Sequence, residues 1–161
     1  MASDVWEMGD AYEAYVGRWS RPVAERFVPW TGVPAGRRWL DVGCGTGALT
    51  AMVLAAAEPG EVVGVDPSAG FLAAARARAA GRHSGFCVGD ARALAFADGT
   101  FDAVVSGLAL NFVPEPAAAL AELARVTRCS RSRCPRGSPI LMTTGPLSSA
   151  ARARHRAMSR I

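Results

Sequence analysis

The sequence predicts an α/β fold of the doubly wound kind, a mostly parallel sheet with helices on both faces in three layers. Three observations predict it. Short apolar runs alternate with segments of helical period or high helix propensity, which is the pattern of strand–helix–strand units. The first run, ending at Val42, breaks into the alternating glycines Gly43, Gly45 and Gly47 before a helix begins. Polar residues gather where the runs end, at Asp41 to Gly47, Asp66, Asp90 and Ser106 to Asn111. In sheets of this kind ligands bind beyond the carboxyl ends of the strands, so these stretches converge on one rim.

The elements follow in order. From Asp10 to Trp30 the residues Tyr12, Tyr15, Val16, Trp19, Val23, Phe27 and Val28 recur at three- and four-residue steps, a helical period interrupted at Pro22 that gives two short helices or one kinked helix. Thr31 to Gly36 is a loop by its turn residues, Arg37 to Val42 the first strand, and Thr46 to Ala57 the helix after the glycine turn. Glu61 to Asp66 is the second strand, and Ser68 caps an alanine-rich helix over Ala69 to Ala80. Ser84 to Val88 is the third strand. Asp98-Gly99-Thr100 turns into a fourth, Phe101 to Ser106, and Pro116 to Thr127 is a helix with proline in its first turn.

Composition narrows the class. A chain of 161 residues, half of them hydrophobic, fits one domain with a substantial core. No stretch approaches the roughly 18 consecutive apolar residues of a membrane span. Met1 to Asp10 carries Asp4, Glu7 and Asp10 where a signal peptide carries positive charge, so a cytoplasmic location is expected. Cys44, Cys87, Cys129 and Cys134 form no CxxC pair, and with only His83 and His155 beside them no metal site is expected. Cys44 reads as a small packable residue in the turn rather than a catalytic thiol, and Cys129 and Cys134 as free thiols.

Two ligands compete for a glycine turn followed by an acid at the end of the second strand. Gly43-x-Gly45-x-x-Ala48 with Asp66 can be set on the dinucleotide pattern, with Asp66 on a ribose, which gives a nicotinamide oxidoreductase. Asp41 discriminates. Beside a pyrophosphate it is a like-charge neighbour, whereas beside an ammonium it is attractive. The residues therefore prefer a ligand that carries an amine.

Leu40-Asp41-Val42-Gly43-Cys44-Gly45-Thr46-Gly47, Val63-Gly64-Val65-Asp66-Pro67-Ser68, Gly89-Asp90-Ala91 and Phe101-Asp102-Ala103-Val104-Val105-Ser106 resemble, in order, the motifs of class I S-adenosylmethionine-dependent methyltransferases. Within that class the chain is most similar to the small-molecule branch called methyltransferase type 11, over roughly residues 10 to 128. The resemblance implies a Rossmann-like fold, S-adenosyl-L-methionine as cofactor and a small-molecule methyl acceptor. It places Asp41 and the backbone of Gly43, Gly45 and Gly47 on the methionine part, with Asp41 facing the ammonium. Asp66 would take the ribose hydroxyls, Asp90 the adenine amine with Ala91 beside it, and Gly107 to Leu110 the floor near the sulfonium. Phe71 packs either near the adenine or in the core. The amino-terminal helix, with Tyr12, Tyr15, Arg18 and Trp19, would be a lid. No catalytic base stands out, Asn111 and the two tyrosines being the only polar candidates.

The division expected is a helical lid over 1–36, a cofactor-binding core over 37–128 and an atypical basic tail over 129–161. After Arg128 the Pro-Gly-Gly turn that leads to a fifth strand in the family is absent. Ser138 to Thr144 is offered as a displaced fifth strand and Ser148 to Met158 as an arginine-rich helix, with no residues for a sixth and seventh strand. The tail holds seven arginines and no acid, against eleven arginines and fourteen acids before it. One reading makes it an arm for nucleic acid or an acidic partner. The favoured one makes it an aberrant or truncated end, such as a reading-frame change, which raises the alternative of a cofactor-binding remnant without turnover. Nucleic acid and membrane are accordingly not expected as partners.

Overall fold

The computed structural model describes residues 18–79, 81, 83–128 and 140–143 of the chain. Their elements run in the order α1 (Arg18–Thr31), β1 (Arg38–Val42), α2 (Ala48–Ala56), β2 (Glu61–Asp66), α3 (Ala69–Ala79), β3 (Ser84–Val88), β4 (Ala103–Gly107), a 3-10 turn (Leu110–Phe112), α4 (Pro116–Val126) and β5 (Ile140–Thr143). The five strands form one sheet in the order β3-β2-β1-β4-β5. Every neighbouring pair is parallel, with Leu40 opposite Val63 and Val104, Val65 opposite Cys87, and Val105 opposite Leu141. β1 therefore lies at the centre. The chain order reverses there, since β2 and β3 extend to one side and β4 and β5 to the other.

Alternation along the strands feeds two cores. On one face Trp39, Val62, Ala103 and Val105 meet Ala24, Phe27 and Val28 of α1 and Leu49 and Val53 of α2. On the other Leu40, Val42, Val65 and Val104 meet Leu94, Phe101, and Leu123 and Val126 of α4. Trp39, Leu40, Val62, Val104 and Val105 are wholly buried. Each such side chain contributes roughly 1.5–3 kcal/mol by leaving water, so the centre of the sheet is the firm part of the molecule.

The bounds of β2 and β3 are those the sequence predicts, and the elements after α1 otherwise differ by one or two residues, while the expected start of the first helix at Asp10 lies outside the described residues. α2 starts at Ala48 rather than Thr46, because Gly47, at φ 82°, occupies its cap. The fourth strand runs Ala103–Gly107, while Phe101 makes an isolated bridge to Thr127. Ser68 caps α3 as expected, its Oγ accepting the Phe71 N–H at 3.3 Å. Of the two readings, two short helices or one kinked helix, the described residues give one helix, α1, which runs through both Pro22 and Pro29. The displaced fifth strand is present as β5 beside β4, inside the stretch expected to be tail. The expected helix over Ser148 to Met158, and Cys129 and Cys134, lie outside the described residues.

Candidate functional site

The carboxyl ends of β1, β2 and β4 and the loop after β3 form the rim. At its centre β1 ends in Asp41 and Val42, and the chain turns through Gly43, Gly45 and Gly47, all left-handed with φ of 71°, 53° and 82°. Two of these glycines are fixed by packing. A Cβ at Gly43 would stand 2.3 Å from the Ala109 Cβ, and one at Gly47 would stand 3.0 Å from the Ala75 Cβ on α3. At Gly45 a Cβ would meet nothing, so there only the backbone conformation demands glycine. The turn is tied to β2, since Gly43 and Cys44 N–H donate to the Val65 carbonyl at 2.8 and 3.0 Å. Gly45 N–H donates to Asp66 Oδ2 at 2.9 Å. Arg78 of α3 holds the turn from outside, its Nη1 donating to the carbonyl and hydroxyl oxygens of Thr46, each at 2.8 Å.

Asp41 is fully buried beneath this turn. Thr50 of α2 donates its hydroxyl to Oδ2 at 2.7 Å, and Oδ1 has no hydrogen-bond partner among the described residues. Burial pushes the carboxyl up to about 7, only partly offset by the Thr50 hydrogen bonds, and the charge of Asp66 adds to the rise. An unpartnered carboxylate oxygen in a dry setting is costly unless a cation or donor meets it. Asp41 Oδ1 is therefore an acceptor left without a donor among the described residues.

Asp66, also buried, uses Oδ1 for the Ser68 N–H at 2.9 Å and Oδ2 for the Gly45 N–H. Burial raises its carboxyl above the ordinary range and the two N–H donors pull it back. Each oxygen keeps a lone pair for a hydroxyl donor. Asp90, beyond β3, is exposed and held by Arg92 at 2.7 Å, which lowers its carboxyl to about 2. Ala91 beside it is half-buried against the second core.

On the other side of β1, Gly107 closes β4 and Leu108 follows at φ 60°, a left-handed conformation that is strained for a leucine. A cavity lies between this corner, the glycine turn and α1, lined by Asp41, Gly43, Gly45, Thr46, Gly107 and Leu108 together with Ser20, Val23, Ala24 and Phe27. Of the expected site residues it gathers Asp41, Gly43, Gly45 and Gly107. Gly47 serves the packing of α2 on α3, and Asp66, Asp90 and Ala91 lie outside the cavity, further along the rim.

The remaining candidates sort themselves. The Cys44 thiol is buried in the turn near Gly64, and burial with the charges of Asp41 and Asp66 drives its pKa far up, so it is no nucleophile. Phe71 is buried on α3. Asn111 is exposed on the 3-10 turn, and Tyr12 and Tyr15 lie outside the described residues. His83 bonds the Gly60 carbonyl at 3.0 Å, at the amino ends of β2 and β3 and so at the end of the sheet opposite the rim. Among the described residues no group of His, Cys, Asp or Glu forms a metal cluster, and no helix is long and apolar enough to cross a membrane.

Leu108 falls within the floor expected over Gly107 to Leu110, though its left-handed backbone was not foreseen, whereas sequence reasoning missed Thr50 and a clamp on the loop that carries Asp90 and Ala91. Arg125 of α4 donates to the carbonyls of Phe96 and Leu94 at 2.7 and 2.9 Å and to Asp98 and Glu122, and Glu122 accepts the Leu94 N–H at 2.8 Å. None of these carries a local motif. The only signal was a hydroxyl nine residues beyond Asp41.

Comparison with known proteins agrees with this geometry. A family model described as a methyltransferase domain matches residues 40–130. The demethylmenaquinone methyltransferase of Renibacterium salmoninarum is 39% identical over 129 residues, 80% of this chain and 48% of that protein. The chain thus spans about half the length of the curated relatives it matches. The cyclase SpnF superposes with a TM-score of 0.62 at 29% identity, over 67% of this chain and 41% of that one. A solved Methanococcus maripaludis protein shares the fold with a TM-score of 0.69 at 20% identity, over 94% of this chain and 67% of its own. The parallel order of strands, the glycine turn over a buried acid and a family match across more than half the chain lead to one statement: the protein belongs to the class I S-adenosylmethionine-dependent methyltransferases.

Proposed function

We propose that the rim holds S-adenosylmethionine and that the chain serves methyl transfer to a small-molecule acceptor. The observation that carries this reading is Asp41 Oδ1, fully buried and unpartnered among the described residues at the floor of a cavity under the glycine turn. An aminoacyl-nucleoside supplies the ammonium that this oxygen lacks, whereas a pyrophosphate would bring a second negative charge. Asp41 with Gly43, Gly45 and Gly47 would hold the methionine part, Asp66 the ribose, Asp90 and Ala91 the adenine, and Gly107 the floor.

When bound, S-adenosylmethionine supplies a methyl group already activated by its sulfonium, so the protein's task is alignment rather than acid–base work. The chain's own residues then have two duties. Asp41 and Asp66 fix the ligand at two points, and α1 covers the cavity with Val23, Ala24 and Phe27, excluding water from the side opposite β4. The stretch 1–36 is accordingly read as a lid, 37–128 as the cofactor-binding core and 129–161 as a basic extension that contributes β5. A quinone-like acceptor is the favoured substrate class, on the name of the Renibacterium relative.

Calorimetric titration with S-adenosylhomocysteine and with NAD tests the reading. Binding of S-adenosylhomocysteine that falls at least tenfold in D41A and in D66A is expected, as for loss of a charge-assisted contact. Tight NAD binding with no response to S-adenosylhomocysteine would overturn it.

A further inference from the structure

Asp90 is not simply open to a ligand. Its two oxygens accept four hydrogen bonds, all from Arg92. Oδ1 takes the Arg92 backbone N–H at 2.8 Å and Nε at 3.0 Å, and Oδ2 takes Nε at 3.1 Å and Nη2 at 2.7 Å. Three N–H groups of one residue, the Nε–H shared between both oxygens, thus occupy the carboxylate, and an incoming amine has to compete with them. The guanidinium, however, has a second seat. Its Nη1 donates to Glu115 Oε1 at 2.9 Å, and Glu115, just ahead of α4, is 69% exposed and free to turn.

We propose that Arg92 is a specificity residue that releases Asp90 to the exocyclic amine of adenine by letting go of that carboxylate while Glu115 retains the guanidinium. The proposal rests on the cofactor reading above. Both ion pairs are exposed, and exposed pairs are weak, so giving up the Asp90 pair while the Glu115 pair holds the guanidinium costs little. An exposed carboxyl near its ordinary 3.8 is ionised at neutral pH, hence an acceptor, once Arg92 has moved. The exchange also sets what the site tolerates. With the guanidinium at hand, a purine bearing a carbonyl in place of the amine still finds a donor in Arg92. Without it, that carbonyl faces the carboxylate alone.

The test compares S-adenosylhomocysteine with S-inosylhomocysteine, in which a carbonyl replaces the adenine amine, by calorimetry on wild type, R92A and E115A. In R92A the adenine ligand binds about two- to fivefold more tightly, the equivalent of one exposed ion pair removed from competition. Its preference over the inosine ligand grows several-fold. In E115A, where the guanidinium loses its second seat, the adenine ligand binds more weakly than in wild type. Wild-type binding that R92A leaves unchanged or weakens, with the same preference between the two ligands, would overturn the exchange alone. Absence of binding in wild type and both variants would overturn the cofactor reading and the exchange together.

Discussion

Asp41 is the residue on which charge, burial and ligand chemistry meet. Its folded pKa of about 7 stands above the ordinary 3.8, so between those values the native state holds a proton that the unfolded chain has lost. Stability from this group therefore declines as pH rises from about 4 through about 7 and is level above, by up to about 4 kcal/mol. D41N keeps the shape and removes the titration. Urea unfolding at pH 5 and pH 8 is expected to show wild type losing stability to the higher pH by more than D41N does. An equal loss in both would mean that Asp41 is not the titrating group. Ligand binding carries the opposite dependence. An ammonium selects the ionised carboxylate, so affinity for S-adenosylhomocysteine rises with pH through about 7, and below that range binding releases up to one proton. Calorimetry in two buffers of different ionisation enthalpy measures that proton directly.

At the scale of elements, the glycine turn and the clamped loop make separable predictions. G43A places a methyl group against Ala109 in a left-handed conformation and should cost roughly 2–5 kcal/mol. G45A meets open space, costing only the conformational ~1 kcal/mol, yet Gly45 lines the cavity proposed for the ligand. A modest stability loss with a large loss of S-adenosylhomocysteine affinity is therefore expected for G45A, and thermal melts beside calorimetry separate the two effects. On the other side of the sheet, R125A frees the carbonyls of Leu94 and Phe96 and leaves Glu122 without its cation. A loss of about 1–3 kcal/mol is expected in chemical unfolding. Arg125 also holds Glu122 down at about 2, so this contribution is complete above the ordinary glutamate range near 4.5 and is lost as pH falls through about 2. The wild-type advantage over R125A should accordingly shrink in acid.

For the molecule as a whole, the sheet has β3 at one edge and β5 at the other. β5 pairs along all of β4 from Val104 to Gly107, so truncation after Arg128 would bare the backbone of a buried strand. Sedimentation is expected to show self-association of that shorter chain at concentrations where the full chain does not associate. How much of this could be read in the sequence follows a physical line. β2 and β3 were legible to the residue because Pro59-Gly60 and Gly89 punctuate apolar runs, and the rim was legible because motifs at strand ends are local. The fifth strand was visible only as a short apolar run after a stretch without the family's turn. What could not be read depends on contacts between distant segments. Thr50 reaches Asp41 only once α2 folds back on β1, Arg125 reaches Leu94 across the chain, and Leu108 turns left-handed because the corner after β4 must close on the glycine turn.

That last closure has an evolutionary consequence. Gly43 and Ala109, 66 positions apart, share room for a single methyl group, and Ala109 already fills it. The two positions should drift as a pair, with alanine at 43 tolerated best where 109 is glycine, and a redesign that diversifies either position alone would sample mostly misfits. A109G should restore part of the stability lost in G43A, and the part left unrestored is a direct reading of what the left-handed backbone costs.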